Sequence, residues 1–426
     1  MKTITHPEFG ESAIVEVLDN GLQVTIYHKP EFATSCFAFG TPYGAFDYKQ
    51  NEADGSIFEV PLGAAHFLEH KLFEKPEEDM LSKFNSLGAN VNAFTTESET
   101  VYFFTITTPE YQKPLNLLLD FVQDLQIDDA SVEKEKGIIV EELLMYEQIP
   151  NYRLYREAMS CLFENHPLKY DVGGTTDSVV STTRKELEDC HQRNYHPSRM
   201  QFLAITPCDP EEVLQVIKAN QAKKDFGKPI TMRRFPVIEP ESVVKKEVKV
   251  DFDIPTTKSA LVFKLNLPQS DLAERERIAQ ALNCALQAQF STLNPQYQLW
   301  IDEKIINEFF GFEVNIGKDY GYVMFFGETA DPQSWRDFLL KQIEEMKKNP
   351  VDSAVLAQLK KRTWGNALSL FDKPSAIVFE ILRSDLYGLS FFETQKITRA
   401  LTVDNCVDSL KYVKDIHSSL VILGKI

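Results

Sequence analysis

The feature that most constrains the fold is an order of secondary-structure elements that occurs twice along the chain. In the first half, hydrophobic periodicity predicts short strands, a hairpin turn at Asn20-Gly21 and amphipathic helices. The predicted strands are 13–17, 22–27, 35–39, 89–95, 100–107 and 200–206. The predicted helices are 61–73, a helix that begins at Pro76 and that Gly88 ends, 109–125, 130–149 and 211–219.

The second half repeats this order of strands, helix, strands and paired helices. Its predicted strands are 247–252, 259–267 and 320–326, and its predicted helices are 272–290, 332–348 and 353–370. We therefore expect an α+β fold of two duplicated units, each a mostly antiparallel sheet covered by helices. The duplication is inferred from pattern alone and not from sequence identity between the halves.

The length of the chain and one irregular segment predict the domain organisation. A chain of 426 residues is long enough for at least two domains. Residues 223–241 combine basic residues and prolines without a sustained hydrophobic period, which is typical of a linker. We therefore predict an N-terminal domain at residues 1–222, a linker at 223–241 and a homologous C-terminal domain at 242–426.

The charge of the chain excludes some classes of partner. Its 63 acidic and 45 basic residues give a net charge of −18, so binding to phosphate backbones or anionic membranes is disfavoured. Neutral or basic polypeptides remain suitable partners. The N-terminal segment lacks the features of a secretory signal, and no apolar run is long enough to span a membrane. With six scattered cysteines, best explained as buried thiols, these features favour a cytoplasmic protein.

Chemistry is indicated by the segment AAHFLEH at residues 64–70. On a helix, His66 and His70 project from one face and can chelate one zinc ion. Glu69 lies beside them and can deprotonate a zinc-bound water that attacks a peptide carbonyl. The order H-x-x-E-H is the inverse of the commoner H-E-x-x-H zinc signature. The alternative is a surface pair of histidines, but the apolar residues around them favour a buried polar role.

A third zinc ligand is expected from the helix at 130–149. Glu142 shares an apolar stripe with Ile138, Ile139, Met145 and Ile149, where a lone carboxylate is costly unless it is paired or bound to metal. Glu141 lies on a more polar face and is the less suitable candidate. Glu135 precedes Glu142 by seven residues and could accept an N–H from a ligating histidine. The alternative is an ordinary solvated acidic helix.

These residues resemble the pitrilysin/insulysin family of zinc metallopeptidases, which includes the mitochondrial processing peptidases. The likeness consists of H-x-x-E-H, Glu142 after 71 intervening residues, and Glu135 seven residues before it. It also takes in segments 43–47, 92–95, 173–175 and 195–197. The chain length is similar to the half-length bacterial branch, so the resemblance implies that the two units form one half of a clamshell.

The resemblance assigns roles to individual residues. It implies that His66, His70 and Glu142 bind zinc, that Glu69 is the base and that Glu135 supports a ligand. It places the metal in the domain at 1–222 and leaves the domain at 242–426 without one. It also implies that the edge strand formed by Asn92, Ala93, Phe94 and Thr95 pairs with an extended substrate, which an unpaired strand edge can do. The alternative for this segment is an ordinary internal strand.

The second half departs from the family in one respect. Its relatives usually carry an Arg, followed six or seven residues later by a Tyr, and both contact the substrate and the developing oxyanion. Here Trp300 stands at the position of the Arg, and Ile306 or Asn307 at that of the Tyr. Lys304 and Tyr297 are weak candidates to replace them.

The sequence therefore predicts a zinc-dependent endopeptidase that cleaves short unfolded polypeptides or leader peptides, with one zinc ion per chain. Because the Arg/Tyr pair is missing, we expect a heterodimer with a related chain that supplies it. Two other functions remain open: a catalytically silent structural subunit, and a module that binds peptides without cleaving them. A metal assay distinguishes the first of these from an enzyme, and a peptide-turnover assay distinguishes the second.

Overall fold

The computed structural model describes residues 1–75, 79–107 and 109–425, and contains fifteen strands and fifteen α-helices within them. The predicted start of a helix at Pro76 lies outside the described residues. The strands are β1 (Lys2–His6), β2 (Glu11–Val17), β3 (Gln23–His28), β4 (Ser35–Thr41), β5 (Lys49–Glu52), β6 (Ile57–Glu59), β7 (Ala89–Thr95), β8 (Thr100–Ile106), β9 (Gln201–Thr206), β10 (Met232–Arg234), β11 (Glu247–Asp251), β12 (Lys258–Lys264), β13 (Gly311–Ile316), β14 (Gly321–Glu328) and β15 (Ser418–Gly424).

The helices follow the predicted order, with additional helices between them. They are α1 (Ala64–Phe73), α2 (Met80–Ser86), α3 (Gln112–Gln123), α4 (Asp129–Glu147), α5 (Pro150–Leu162), α6 (Thr176–Ser181), α7 (Arg184–Asn194), α8 (Pro210–Gln221), α9 (Leu272–Gln289), α10 (Tyr297–Asp302), α11 (Pro332–Lys348), α12 (Ser353–Leu370), α13 (Pro374–Tyr387), α14 (Phe391–Ala400) and α15 (Val403–Ser409). Among the described residues, every helix is too short or too polar to cross a bilayer.

The chain divides into two compact units, each assembled from three segments. Unit 1 comprises Met1–Leu143, Asp171–Pro236 and Leu368–Phe391, and unit 2 comprises Leu144–Tyr170, Val237–Ala367 and Phe392–Ile426. In unit 1 the main sheet has the strand order β1-β2-β3-β9-β4-β8-β7, and a small second sheet has the order β10-β5-β6. In unit 2 the sheet has the order β11-β15-β12-β14-β13.

The two main sheets share one topology. If five strands of each unit are numbered along the chain, both sheets have the order 1-5-2-4-3, as β3-β9-β4-β8-β7 and as β11-β15-β12-β14-β13. In both, strands 1 and 5 are parallel, and the other neighbouring strands are antiparallel. The predicted α+β fold of two duplicated, mostly antiparallel sheets with helices packed on them is therefore confirmed.

Two helices, α5 and α13, each belong to the unit formed mainly by the other half of the chain. Helix α5 comes from the first half but packs against β12 and β15 of unit 2. Helix α13 comes from the second half but packs against β4 and β9 of unit 1. These strands are equivalent by topology, and both helices begin with a proline. The contiguous division at residues 222 and 242 thus differs from the compact units at these two helices, because their apolar faces are buried in the other unit.

The predicted linker contains the boundary between the units, at Pro236–Val237. Its last part is fixed within unit 2 by Glu239. That carboxylate accepts hydrogen bonds from the backbone N–H groups of residues 164–166 and pairs with Lys264 at 2.7 Å. Because the Lys264 side chain is almost fully buried, the ion pair compensates a charge that would otherwise be costly.

The core of unit 1 lies between its main sheet and the helices that cover it. It includes aromatic rings of β4, β8 and β9 that stack closely, for example Phe37 and Phe104 with ring centroids 4.9 Å apart. Gly40 on β4 lets α13 approach, since a Cβ at this position would lie 2.7 Å from Cδ1 of Leu386. All six cysteines are free thiols, and five of them are buried.

We predict that Leu382→Ala, on α13, destabilises the protein by about 2–5 kcal/mol, because Leu382 is fully buried and the change leaves a cavity. The matched control is Leu368→Ala, since Leu368 is 38% exposed and should cost far less. Denaturant unfolding of both variants measures the difference. Equal losses of stability would contradict the packing of α13 described above.

Candidate metal site

Helix α1 presents three chemical groups on the side that faces away from the core. Its apolar residues are buried against the sheet and neighbouring helices; they are Ala64, Ala65, Phe67, Leu68 and Leu72. His66, Glu69 and His70 are each only partly buried. The helical period therefore separates the packing face from a polar face, as the spacing of the two histidines predicts.

Glycines allow the start of α1 to approach the loop at 173–175. Gly63 precedes the helix with a φ of +86°, and a Cβ there would lie 2.1 Å from the carbonyl oxygen of Gly173. Gly174 has a φ of +87°, and a Cβ on it would lie 2.4 Å from the carbonyl oxygen of Leu62. Both positions therefore require glycine. The same approach brings Gly173 beside the Nδ1 atom of His66.

The structure brings His66, His70 and Glu142 together. Their possible ligand atoms all lie within 4.8 Å of one another. Oε2 of Glu142 is 3.5 Å from Nε2 of His70 and 3.9 Å from Nε2 of His66. Ligands about 2.0–2.1 Å from a tetrahedral zinc ion are about 3.3–3.4 Å apart, so small side-chain movements would complete the coordination. Two imidazoles and a carboxylate are also a ligand set that zinc prefers, and the residues therefore fit this ion.

The basis on which Glu142 was chosen over Glu141 is only partly correct. Glu141 is exposed and lies outside the cluster, as expected. The apolar stripe around Glu142, however, is not buried as a whole, because Ile138 is 47% and Met145 56% exposed. Among the stripe residues Ile139 is buried. Glu142 lies at the edge of the core, where its carboxylate reaches the histidines, and its proximity to them is the stronger argument for its role.

The two histidines differ in their electrostatic surroundings. Burial, with a smaller contribution from the charge on His70, lowers the pKa of His66 to about 3. Burial also lowers the pKa of His70, but the hydrogen bond and charge of Glu135, together with the charges on Glu142 and Glu69, raise it by more. The Nδ1 atom of His70 lies 3.0 Å from Oε1 of Glu135, which is buried. Glu135 thus orients the His70 ring in the way that carboxylates support ligating histidines.

A buried lysine next to the motif was not anticipated from the sequence. Lys71 has a side chain only 1% exposed, and it lies 3.9 Å from Oε2 of Glu135. It also forms an ion pair with Glu74 and donates to the carbonyl oxygen of Ser131. The position of Lys71 among apolar residues of the helix could have indicated its burial and its partners, because a lysine is buried only where other groups compensate its charge.

Glu69 is held from the neighbouring hairpin. The hydroxyl group of Thr95 donates a hydrogen bond to Oε2 of Glu69 at 2.5 Å. Burial raises the pKa of Glu69, and the Thr95 hydrogen bond and the charge on His70 offset part of this effect. A carboxylate with a raised pKa beside a metal-ligand cluster is suited to accept a proton.

The residues expected to bind substrate lie on β7, at the edge of the seven-stranded sheet. Within the described part of the chain, β7 pairs with β8 and with no strand on its outer side. Asn92 is exposed, and its Oδ1 accepts the N–H of Ala93 at 2.8 Å. Phe94 packs against Phe103 and, from α13, Phe379. The segment is therefore an edge strand rather than an internal strand.

The residues that stand in place of the family's Arg/Tyr pair lie in unit 2, and two of them, Trp300 and Ile306, are part of its core. Trp300 is buried and packs against Phe290 and Phe338. Ile306 is also buried in this core. Lys304 is exposed and adopts a φ of +58°. Trp300 and Ile306 therefore serve packing, whereas Asn307, the other candidate for the position of the Tyr, is only partly buried and accepts the N–H of Phe309 through its Oδ1 atom.

Both halves of the chain match models of one peptidase family. Residues 53–176 match the family described as Insulinase (Peptidase family M16), and residues 181–363 match the Peptidase M16 inactive domain. The first match contains His66, Glu69, His70 and Glu142. The second lies largely in the half of the chain that lacks the motif.

A relative that matches over nearly its whole length carries the name of a zinc protease. The "Uncharacterized zinc protease YmfH" of Bacillus subtilis is 30% identical over 414 residues, which cover 95% of this chain and 94% of the relative. The beta subunit of the mitochondrial-processing peptidase of Bos taurus is 24% identical over 245 residues, or 56% of this chain and 47% of that protein.

Solved structures extend the likeness to the whole fold. An M16-like peptidase from Alicyclobacillus acidocaldarius superposes with a TM-score of 0.91 at 28% identity, covering 97% of this chain and 98% of the other. The periplasmic protease PqqL of Escherichia coli superposes with a TM-score of 0.74 at 20% identity, covering 96% of this chain but 47% of PqqL. By its site, its sequence relatives and its fold, the chain belongs to the insulinase family of metallopeptidases, peptidase family M16.

Proposed function

We propose that the chain is a zinc-dependent endopeptidase that hydrolyses short unfolded polypeptides or leader peptides. The observation that carries this proposal is the convergence of His66, His70 and Glu142, with Glu69 on the same helix face. A relative that matches nearly the whole chain is named a zinc protease, and this name supports the proposal. One zinc ion per chain would be held by these three ligands.

The residues of this chain would divide the work of hydrolysis. Zinc, when bound, supplies Lewis-acid chemistry that acidifies water and polarises a carbonyl oxygen. Glu69 would accept the proton of the attacking water and deliver it to the leaving amine, for which its raised pKa is suitable. Glu135 would keep the Nδ1 proton of His70 in place, so that the Nε2 atom faces the metal.

The substrate would bind as an added strand on β7. Its backbone would pair with the outer edge of residues 92–95, and the N–H of Ala93 would exchange its bond to Asn92 for one to the substrate. Recognition through backbone groups requires an extended segment rather than a particular sequence. This requirement favours short or unfolded polypeptides over folded proteins.

The assembly we propose is a heterodimer with a related chain. The half of the chain that matches the inactive domain has the buried Trp300 at the position of the family's Arg, and Ile306 or Asn307 at that of its Tyr. A partner that carries this pair would supply hydrogen-bond donors to the oxyanion. PqqL, of which this chain covers about half, combines two such lengths in one polypeptide.

A silent structural or peptide-binding subunit is the second candidate. The edge strand alone would support peptide binding without hydrolysis. The complete ligand cluster, with Glu135 placed behind His70, favours the enzyme, since neither feature is needed to bind a peptide. Zinc binding and turnover distinguish the two candidates.

We predict that the purified protein binds one zinc ion and that Glu142→Ala loses it. The matched control is Glu141→Ala on the adjacent, exposed position, which should retain the metal. Elemental analysis after dialysis measures both. Loss of zinc in the Glu141 variant instead would show that the ligand is the other carboxylate.

Glu69→Gln should reduce hydrolysis by about 10²- to 10⁴-fold, because the amide cannot accept the proton. Zinc content should be unchanged, since Glu69 is not a proposed ligand. The control Glu110→Gln alters an exposed carboxylate outside the site and should have no effect. Turnover of a quenched peptide measures the rates, and full activity of Glu69→Gln would remove this residue from the mechanism.

The isolated chain should cleave peptides poorly, and a related chain carrying the Arg/Tyr pair should restore activity. Loss of one oxyanion donor typically costs about 10²- to 10³-fold in rate. A homodimer would not help, because both copies lack the Arg/Tyr pair at these positions. Co-purification followed by peptidase assays of the chain alone and with its partner tests this, and robust turnover by the homogeneous chain would contradict it.

A further inference from the structure

We infer that Thr95 is a positioning residue that fixes the carboxylate of Glu69 through its hydroxyl group. The inference rests on the proposed function and extends it, because Thr95 otherwise enters only as part of the substrate-binding strand. The 2.5 Å hydrogen bond is charge-assisted, and hydrogen bonds of this kind are short and strong. Among the described residues, Thr95 is the hydrogen-bond donor that reaches this carboxylate.

The hydroxyl group of Thr95 lies at a hydrogen-bonded end of the hairpin. Thr95 is the last residue of β7 and lies opposite Thr100 in the register of the hairpin. The Thr100 hydroxyl donates to the carbonyl oxygen of Tyr43 at 2.9 Å and lies 3.4 Å from Oγ1 of Thr95. The N–H of Thr96 bonds to the carbonyl oxygen of Glu99 at 2.8 Å, which closes the turn.

The turn that follows Thr95 is also fixed from outside the hairpin. The N–H groups of Ala45 and Phe46 bond to the carbonyl oxygens of Thr96 and Glu97. Gly44 permits this contact, since a Cβ there would lie 2.6 Å from the carbonyl oxygen of Thr96. The buried carboxylate of Glu99 pairs with Arg383 of α13 at 2.7 Å.

This arrangement connects the substrate strand with the base. A peptide that pairs with β7 would be aligned by backbone groups of the residues that lead to Thr95. The side chain of Thr95 donates its hydrogen bond to Glu69. One residue would therefore set both the position of the substrate backbone and that of the carboxylate. A misplacement of about 1 Å at a reacting group can cost about 100-fold in rate, so this connection matters for turnover.

Thr95→Val tests the inference, because valine keeps the shape of threonine and removes the donor. We expect kcat to fall by about 10- to 100-fold, while KM changes by less than about twofold because the backbone of β7 is unaltered. Thr95→Ser restores the donor and should keep kcat within about threefold of the unaltered protein. Thr105→Val, on β8 of the same hairpin, is the matched control and should have no effect.

Two further readouts separate positioning from a general loss of structure. Zinc content should be equal in all four proteins, since Thr95 touches no proposed ligand. Crystal structures of the unaltered protein and its variants, determined with zinc and without it, should show the Glu69 carboxylate displaced in Thr95→Val and retained in Thr95→Ser. The kinetic measurements use the complete assembly, including any partner that co-purifies.

Specific results would overturn the inference. The first is a kcat of Thr95→Val within threefold of that of the unaltered protein. The second is an equal loss of kcat in the Ser and Val variants. The third is a Glu69 carboxylate that has not moved in crystals of Thr95→Val. If the unaltered protein binds no zinc or cleaves no peptide, the proposed function fails. The crystallographic comparison still decides the role of Thr95 in that case, so the two failures are distinguishable.

Discussion

Burial of one face of α1 against the sheet of unit 1 sets the position of the polar groups of the site. Phe67, Leu68 and Leu72 are almost fully buried, so the helix cannot rotate without exposing them. With the rotation fixed, His66, Glu69 and His70 must face away from the sheet, toward α4 and the end of β7. Glu135 and Glu142, which lie about two turns apart on one face of α4, then meet groups that are already oriented, as does Thr95. The chemistry of the site is thus a consequence of hydrophobic packing that contains none of the reacting residues.

The charges of this cluster favour a bound cation. Glu69, Glu135 and Glu142 converge around two imidazoles, and the nearby ammonium group of Lys71 is shared with Glu74. Three carboxylates in a partly buried site repel one another unless a positive charge compensates them. At about 5 Å and an effective dielectric constant of about 20, a divalent cation attracts each carboxylate by several kcal/mol before desolvation. A bound zinc ion would therefore compensate the negative charge as well as fit the ligand geometry. The ammonium group of Lys71 compensates part of the charge of Glu135.

Local periodicity in the sequence was enough to predict what depends on local contacts. The bounds of β7, α11 and α12 agree to the residue, because each has a clear period and a clear end. Strand β15 was not predicted, since a short continuous apolar run has no diagnostic period. The sequence also could not predict that α5 and α13 each pack on the sheet formed mainly by the other half of the chain, because the apolar face of a helix does not identify which sheet will bury it. In the site, the pairing of His66 with His70 follows from their spacing on a helix, whereas Lys71 and the Thr95–Glu69 bond depend on which elements become neighbours.

The second half of the chain shares the sheet topology of the first but has no H-x-x-E-H motif, and its helix α13 has a packing role in unit 1. Helix α9 follows the second strand of its unit, as α1 does, but contains no histidine and buries residues such as Ile278, Leu282 and Leu286. Trp300 and Ile306 likewise contribute to packing. Helix α13, however, covers β4 and β9 of unit 1, and its Arg383 holds Glu99 in the turn beside Thr95. Unit 1 therefore needs residues of the second half to complete its own core, whatever chemistry that half performs.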